Sequence, residues 1–134
     1  MTNLEIVKQK LYEKNASLVV LYANGECKEY YQNRINDIKD ILREDKSALK
    51  DAIIADKVIG KVAGSILTVA GVKEIYADVI SQYAIPVLQE NNVKYEYKTL
   101  TEYVINNSKT GMCPMENKYK DEKDIYKIYD EMIK

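Results

Sequence analysis

The sequence predicts an α/β fold, in which helices cover both faces of a mixed β-sheet. Two observations support this fold class. A β-hairpin is expected where Asn24-Gly25 separates two strand-like runs, and strands then alternate with helix-like segments along the chain. A chain of 134 residues, of which 46% are hydrophobic, suffices for one core. We therefore expect a single domain over residues 1–134.

The first part of the chain predicts a helix followed by the hairpin. Leu4, Val7 and Leu11 recur at helical spacing, which indicates an amphipathic N-terminal helix within residues 1–15. The runs 17–23 and 26–31 are the two expected strands. Asn-Gly between them favours a type I′ turn, because both central residues of that turn need a positive φ.

The middle of the chain predicts the centre of the sheet. Ile38 and Leu42 indicate a second helix. The run 52–55 is apolar on both faces, as in a central strand that helices cover on each side. Asp56 is then expected to begin a long helix that stops at Gly71, a residue well suited to a left-handed cap.

Two more strands and three more helices complete the prediction. Alternating patterns over 73–80 and 93–98 indicate strands. Ser81 is expected to cap the helix between them, and Thr101 to cap a short helix after the last strand. The final expected element is an amphipathic C-terminal helix within residues 120–134.

Composition argues against several classes of function. Lys and Arg total 20 against 21 acidic residues, so no basic excess supports nucleic-acid binding. No uncharged run, 62–72 included, reaches the roughly 20 apolar residues of a membrane span. No secretory signal is evident, and the cytoplasm is the expected location. Because the chain contains no histidine, it cannot form a Ser-His-Asp site, and we predict neither a metal nor a cofactor.

The junction after the predicted central strand is the best candidate for a binding site. If Asp56 stands at a helix start, unpaired backbone N–H groups and the helix dipole there would attract an anion. Lys57 and Lys61 would lie one turn apart on that helix and add positive charge. Ser81, directly after the next strand, could reach the same crevice. The structural alternative is that Asp56 only caps the helix and the lysines extend into water.

Two glycines in the same segment have a different explanation. Gly60 and Gly64 are expected to let the helix approach its neighbours closely. They do not indicate a phosphate-binding loop, because no Lys-Ser/Thr pair directly follows Gly64.

The run 111–116, GMCPME, is the second unusual stretch. Cys113 could act as a nucleophile if a helix end or a lysine lowered the pKa of its thiol. A plainer interpretation is a turn fixed by Gly111 and Pro114 that covers a neighbouring surface. In a third interpretation the run folds over the Asp56 crevice, and Glu116 faces one of the lysines.

Four stretches carry a family resemblance: LYANGE at 21–26, ADKVIGKVAG at 55–64, VISQYA at 79–84 and GMCPME at 111–116. Together they resemble an uncharacterised family, domain-of-unknown-function family 1893, with a cytidine-deaminase-like fold. The resemblance implies a three-layer α/β/α sandwich around a mixed five-stranded sheet. Zinc deaminases use an H-x-E element and a P-C-x-x-C element. This chain departs from both, with Asp56 and Lys57 at the first position and Ser81 and Ala84 at the second.

These observations predict a deaminase-fold protein without the zinc site that binds a small anionic or nucleotide-like ligand. The expected ligand-binding residues are Asp56, Lys57, Lys61, Ser81, Cys113 and Glu116. One alternative is an enzyme of unassigned reaction with Cys113 or Lys57 as its nucleophile. Another is a homo-oligomeric structural or interaction protein, in which close helix packing and exposed tyrosines form the contacts.

Overall fold

The computed structural model of the protein describes residues 1–32, 35–106 and 108–134. Within these ranges the strands are β1 (Leu18–Leu21), β2 (Cys27–Tyr30), β3 (Ile53–Ile59), β4 (Glu74–Ser81) and β5 (Lys94–Thr101). The helices are α1 (Asn3–Glu13), α2 (Asn36–Glu44), α3 (Lys61–Val69), α4 (Ile85–Glu90), α5 (Pro114–Tyr119) and α6 (Ile125–Ile133). This order confirms the α/β class.

The strands form one mixed, open sheet in the order β2-β1-β3-β4-β5. β1 is antiparallel to both β2 and β3, whereas β3, β4 and β5 are parallel to one another. The carboxyl ends of the three parallel strands therefore meet at one edge of the sheet. The segments that follow them, which carry most of the predicted site residues, start from that edge.

Two apolar clusters lie on opposite faces of the sheet, because neighbouring residues of a strand alternate in direction. Val19 packs with Val7 and Leu11 of α1 on one face. Leu18 and Val20 belong to the larger cluster, to which α2, α3, α4, α5 and α6 all contribute. One helix thus covers one face, and the remaining helices of the described chain cover the other.

The hairpin is confirmed, but its predicted turn type is wrong. Tyr22 N donates to Glu26 O at 2.8 Å, and Gly25 N donates to Tyr22 O at 2.9 Å. Of the Asn24-Gly25 pair only Gly25 has a positive φ, at 95°. The loop therefore has one residue more than a type I′ hairpin, and its glycine takes the left-handed position that such three-residue loops require.

The central strand is longer than predicted, which corrects the position of the site residues. β3 continues to Ile59, so Asp56 and Lys57 lie within a strand and not at a helix start. Pairing with β4 extends the strand, since Asp56 lies beside Ala77 and Ile59 beside Ile80. The predicted arrangement of Lys57 and Lys61 on one helix face is consequently wrong.

Gly60 is the N-cap residue of α3, and the helix ends before Gly71, whose φ of 87° matches the predicted left-handed cap. An added Cβ at Gly60 would lie 2.6 Å from Val104 Cγ2 and 2.9 Å from Glu116 Oε1. At Gly64 the nearest atom would be Ala84 Cβ at 3.5 Å. The predicted close approach is therefore confirmed most clearly at Gly60.

Three further predictions are wrong, and all concern segments at or after the ends of the parallel strands. Ser81 is the last residue of β4, and α4 begins at Ile85 without a side-chain cap. Thr101 ends β5 and caps no helix, since β5 is extended by pairing with β4 as far as Ser81. The GMCPME run, predicted as a loop or turn, contributes to α5 from Pro114 onward.

The terminal helices are confirmed with tighter bounds. α1 begins after Thr2, whose side chain forms a capping box with Glu5. α6 begins after Asp124, whose side chain accepts from the backbone N–H groups of Tyr126 and Lys127. Among the described residues, no helix has the length and apolar content needed to cross a membrane.

Candidate functional site

A cleft of about 520 Å³ opens at the carboxyl ends of β3, β4 and β5, and we call it the strand-end cleft. Small-molecule sites are commonly clefts of roughly 300–1,000 Å³, and in open α/β sheets they lie at this edge. Its lining residues come from the start of β1, the ends of the three parallel strands and the loop after β5. They are Ser17, Asp56, Lys57, Val58, Val79, Thr101, Tyr103, Val104, Ile105, Asn106 and Lys109.

Asp56 is the buried acid of this cleft, with only 6% of its surface exposed. Its Oδ1 accepts a long hydrogen bond, 3.4 Å, from the backbone N–H of Val58. Burial raises the pKa of the Asp56 carboxyl to about 8, and the nearby Asp37 adds to the rise. The backbone N–H groups of Val58 and Lys57 act in the opposite direction. At neutral pH the side chain is therefore mainly a neutral carboxylic acid, which can donate a hydrogen bond.

The remaining lining combines two lysines with apolar walls. Lys57 is exposed, and its Nζ donates to Asn15 Oδ1 at 3.0 Å. Lys109, from the loop after β5, is also exposed. Val58, Val79 and Val104 supply apolar surface, so the cleft offers cationic groups beside a hydrophobic wall.

Glu116 lies next to the cleft, but its carboxylate accepts hydrogen bonds from the backbone of the chain itself. Only 2% of its surface is exposed. Its Oε1 accepts from the backbone N–H of Lys61 at 2.7 Å, and its Oε2 accepts from the backbone N–H of Val104. The start of α3, where the sequence suggested an exogenous anion, is thus occupied by a carboxylate of the chain itself.

The other predicted site residues are placed apart from the strand-end cleft. Lys61 extends its Nζ to Lys120 O at 3.2 Å, and burial lowers the pKa of its ammonium group. Ser81 is buried, and its Oγ accepts from Tyr83 N at 3.1 Å. Cys113 lines a separate cavity of about 60 Å³ together with Glu116. Of the six predicted residues, the strand-end cleft therefore contains Asp56 and Lys57.

Val58 and Val104 line both the strand-end cleft and the small cavity, so they form the partition between the two. The Cys113 backbone N–H donates to Val104 O at 2.7 Å, which fixes the start of α5 against this partition. Cys113 and Lys57 consequently do not share one cavity. In the described ranges, no group of three or more Cys, Asp or Glu residues could hold a metal ion.

The sequence interpretation missed the part of the cleft that follows β5. Tyr103, Asn106 and Lys109 come from this segment, and Thr101 at the end of β5 lies beside them in the lining. Ligands gather at the carboxyl ends of parallel strands, and the sequence interpretation places only Asp56 and Ser81 at such ends. It predicts a helix after Thr101, so it contains no site residue from the end of the third parallel strand.

Fold and site together define a class: an α/β protein with a mixed five-stranded open sheet and a cleft where its three parallel strands end. A family model described as "TM1506: Domain of unknown function (DUF1893)" matches residues 6–133. The chain therefore belongs to the DUF1893 family, as its four sequence stretches indicated.

A solved structure has a similar fold. The chain is similar to a DUF1893 family protein (TM1506) from Thermotoga maritima, whose crystal structure was determined at 2.70 Å resolution. The TM-score is 0.85 and the sequence identity 24%, over 97% of this chain and 88% of the other. Among curated proteins, no match to this chain is found.

Proposed function

We propose that this protein binds a small anionic or nucleotide-like ligand in the strand-end cleft. The observation that carries the proposal is the Asp56 carboxyl group, which is buried, lines the cleft and has a pKa raised to about 8. The neutral carboxylic acid carries an O–H donor, and a buried donor favours a partner that accepts its hydrogen bond. A ligand atom that accepts a hydrogen bond would be such a partner.

The rest of the cleft suits the same ligand. The ammonium groups of Lys57 and Lys109 would attract a phosphate or carboxylate. The valine surfaces and the Tyr103 ring would contact the faces of a planar group. The mixed five-stranded sheet with helices on both faces supports the deaminase-like relationship proposed from the sequence. We carry over from that relationship only the location of the cleft.

The first test is a thermal-shift screen with nucleoside monophosphates and inorganic phosphate as probes. We expect at least one probe to raise the melting temperature of the wild-type protein, because a ligand that binds only the folded state stabilises it. Lys57→Ala and Lys109→Ala should each lower the affinity for that probe about tenfold, which is the effect of losing one charge-assisted contact. Lys73→Ala is the matched control, because Lys73 is exposed and lies at the opposite end of the sheet.

The second test examines Asp56 through the pH dependence of binding by calorimetry. Wild-type affinity for the anionic probe should fall as pH rises through about 8, where Asp56 becomes an anion. Asp56→Asn keeps a hydrogen-bond donor at every pH, so its affinity should stay constant over that interval. Asp56→Ala should bind weakly throughout. If the wild-type protein and Asp56→Asn share one pH profile, Asp56 does not contact the ligand.

A further inference from the structure

β5 forms an outer edge of the sheet and is the most exposed strand. Tyr97 is 41% exposed and Leu100 is 50% exposed. Within the described ranges β5 pairs with β4 alone, along its whole length. Its outer side therefore presents a row of backbone donors and acceptors that a further strand could use.

The direction of the backbone groups decides which residues face outward. Thr101 O accepts from Gln82 N at 2.9 Å, so the backbone of Thr101 faces the β4 side. The N–H and C=O groups of successive residues point to alternate sides of a strand. The outward-facing residues are therefore Lys94, Glu96, Lys98 and Leu100.

The outward-facing residues of β5 are complementary to a second copy of themselves. Suppose that two copies of β5 pair antiparallel, with the twofold axis between them at Tyr97. Glu96 then lies opposite Lys98 of the second copy, and Lys98 lies opposite its Glu96. Both are pairs of outward-facing residues, so each can exchange two backbone hydrogen bonds. Directly opposed unlike charges favour pairing, and Tyr97 meets Tyr97 of the second copy on the other face.

Neighbouring registers either oppose like charges or overlap over fewer residues. An axis at residue 96 places Glu96 opposite Glu96 and Lys94 opposite Lys98. An axis at residue 98 places Lys98 opposite Lys98. Directly opposed like charges are destabilising. An axis at residue 99 opposes Glu96 to Glu102. An axis at residue 95 also places Lys94 opposite Glu96, but only residues 94–96 of β5 then overlap, against 94–100 for the axis at Tyr97. Charge and length of overlap together therefore select the register about Tyr97.

We propose that two copies of this chain form a homodimer by antiparallel pairing of β5 about Tyr97, which joins the two sheets into one. Lysines on an edge strand normally discourage pairing with other chains. Here they select a partner that presents Glu96 at the matching position, and a second copy does so. The proposal is independent of the ligand proposed for the strand-end cleft.

Charge reversal combined with subunit mixing tests the interface and its register. By sedimentation velocity over a concentration series, the wild-type protein should approach twice the chain mass of 15.4 kDa. Glu96→Lys places like charges opposite Lys98, and Lys98→Glu does the same opposite Glu96. Each single variant should weaken dimerisation by roughly tenfold or more, because two attractive pairs become repulsive.

An equimolar mixture of Glu96→Lys and Lys98→Glu should dimerise like the wild-type protein, because each variant offers the charges that the other needs. The double variant Glu96→Lys/Lys98→Glu should also recover dimerisation on its own. Lys46→Glu, in the exposed turn between α2 and β3, is the control and should leave the dimer unchanged. Circular dichroism of each variant checks folding, since Lys98 Nζ also lies 5.9 Å from the Tyr12 ring centroid.

Three outcomes would overturn the proposal. If the wild-type protein stays monomeric at every concentration, the homodimer does not form, and the edge of β5 would be available to another partner such as an extended peptide. Folded single variants that dimerise as well as the wild-type protein place the interface elsewhere. Monomeric single variants that do not recombine on mixing rule out the register about Tyr97.

Discussion

Two buried carboxyl groups lie at the same edge of the sheet, and their surroundings differ sharply. Glu116 accepts hydrogen bonds from the backbone N–H groups of Lys61 and Val104. Asp56 is almost equally buried, and the hydrogen bond that its Oδ1 accepts from Val58 N is long, at 3.4 Å. Through the hydrogen bonds that it accepts, Glu116 connects α5 and the loop after β5 to the start of α3. Asp56 lines an open cleft.

Burial alone therefore does not distinguish an acid that binds a ligand from one that stabilises the fold. A buried carboxylate with two N–H donors has its hydrogen-bonding needs met within the fold. Burial raises the pKa of the Asp56 carboxyl to about 8, and the opposing effect of the Val58 and Lys57 backbone N–H groups is smaller. The partners of each acid therefore separate a structural role from a candidate ligand-binding role.

The largest expected effect is on stability when Glu116 is removed. Glu116→Ala leaves two buried N–H groups without an acceptor, which should lower the free energy of unfolding by about 3–5 kcal/mol. Glu116→Gln keeps one acceptor oxygen and should lose about half as much. Urea denaturation measures both, with the exposed Glu102→Ala as control. If Glu116→Ala costs no more than the control, Glu116 does not fasten these segments.

The next effect concerns the space beside Glu116. Gly60→Ala would put a Cβ 2.6 Å from Val104 Cγ2 and 2.9 Å from Glu116 Oε1, so neighbouring groups must shift. We expect a loss of about 2 kcal/mol in the free energy of unfolding. Gly111→Ala is the matched control, because its Cβ would have no neighbour within 4 Å, and it should change stability by less than about 0.5 kcal/mol. Equal losses at the two glycines would contradict the proposed crowding.

The third effect is a pH-dependent gain in stability when Asp56 is replaced. The carboxyl pKa is 3.8 as a reference and about 8 in the folded chain. Between these values the folded state holds one proton more than the unfolded state, so the free energy of unfolding falls as pH rises.

Asp56→Asn removes this titration. The stability of the variant relative to the wild-type protein should therefore rise by up to about 1.4 kcal/mol for each pH unit within that interval, and the difference should vanish below the lower end. Urea denaturation at a series of pH values measures it. A constant difference at every pH would show that Asp56 ionises normally and would remove its contrast with Glu116.

Much of the fold follows from local sequence patterns. The apolar spacing of Leu4, Val7 and Leu11 determines which face of α1 is buried, and all three are buried against the sheet. The hairpin, and the end of α3 before Gly71, also follow from a few neighbouring residues. These predictions succeed because helical periodicity and turn residues act over short stretches of chain.

The candidate site follows much less from sequence. Asp56 and Lys57 were expected at a helix start, and pairing with β4 keeps both in a strand. Glu116 reaches the start of α3 from 55 residues away along the chain. Neither result has a local signal, because strand pairing and long-range hydrogen bonds depend on which segments the fold brings together.

The sequence by itself determined the α/β class, the order of most elements and the family, and it indicated the segment around Asp56 as a candidate site. Tertiary structure alone decided where β3 ends, which acid fastens the fold and which acid lines the cleft. The physical reason is that helix periodicity and turn preference are set by neighbouring residues, whereas burial and hydrogen-bond partners are set by contacts between distant ones.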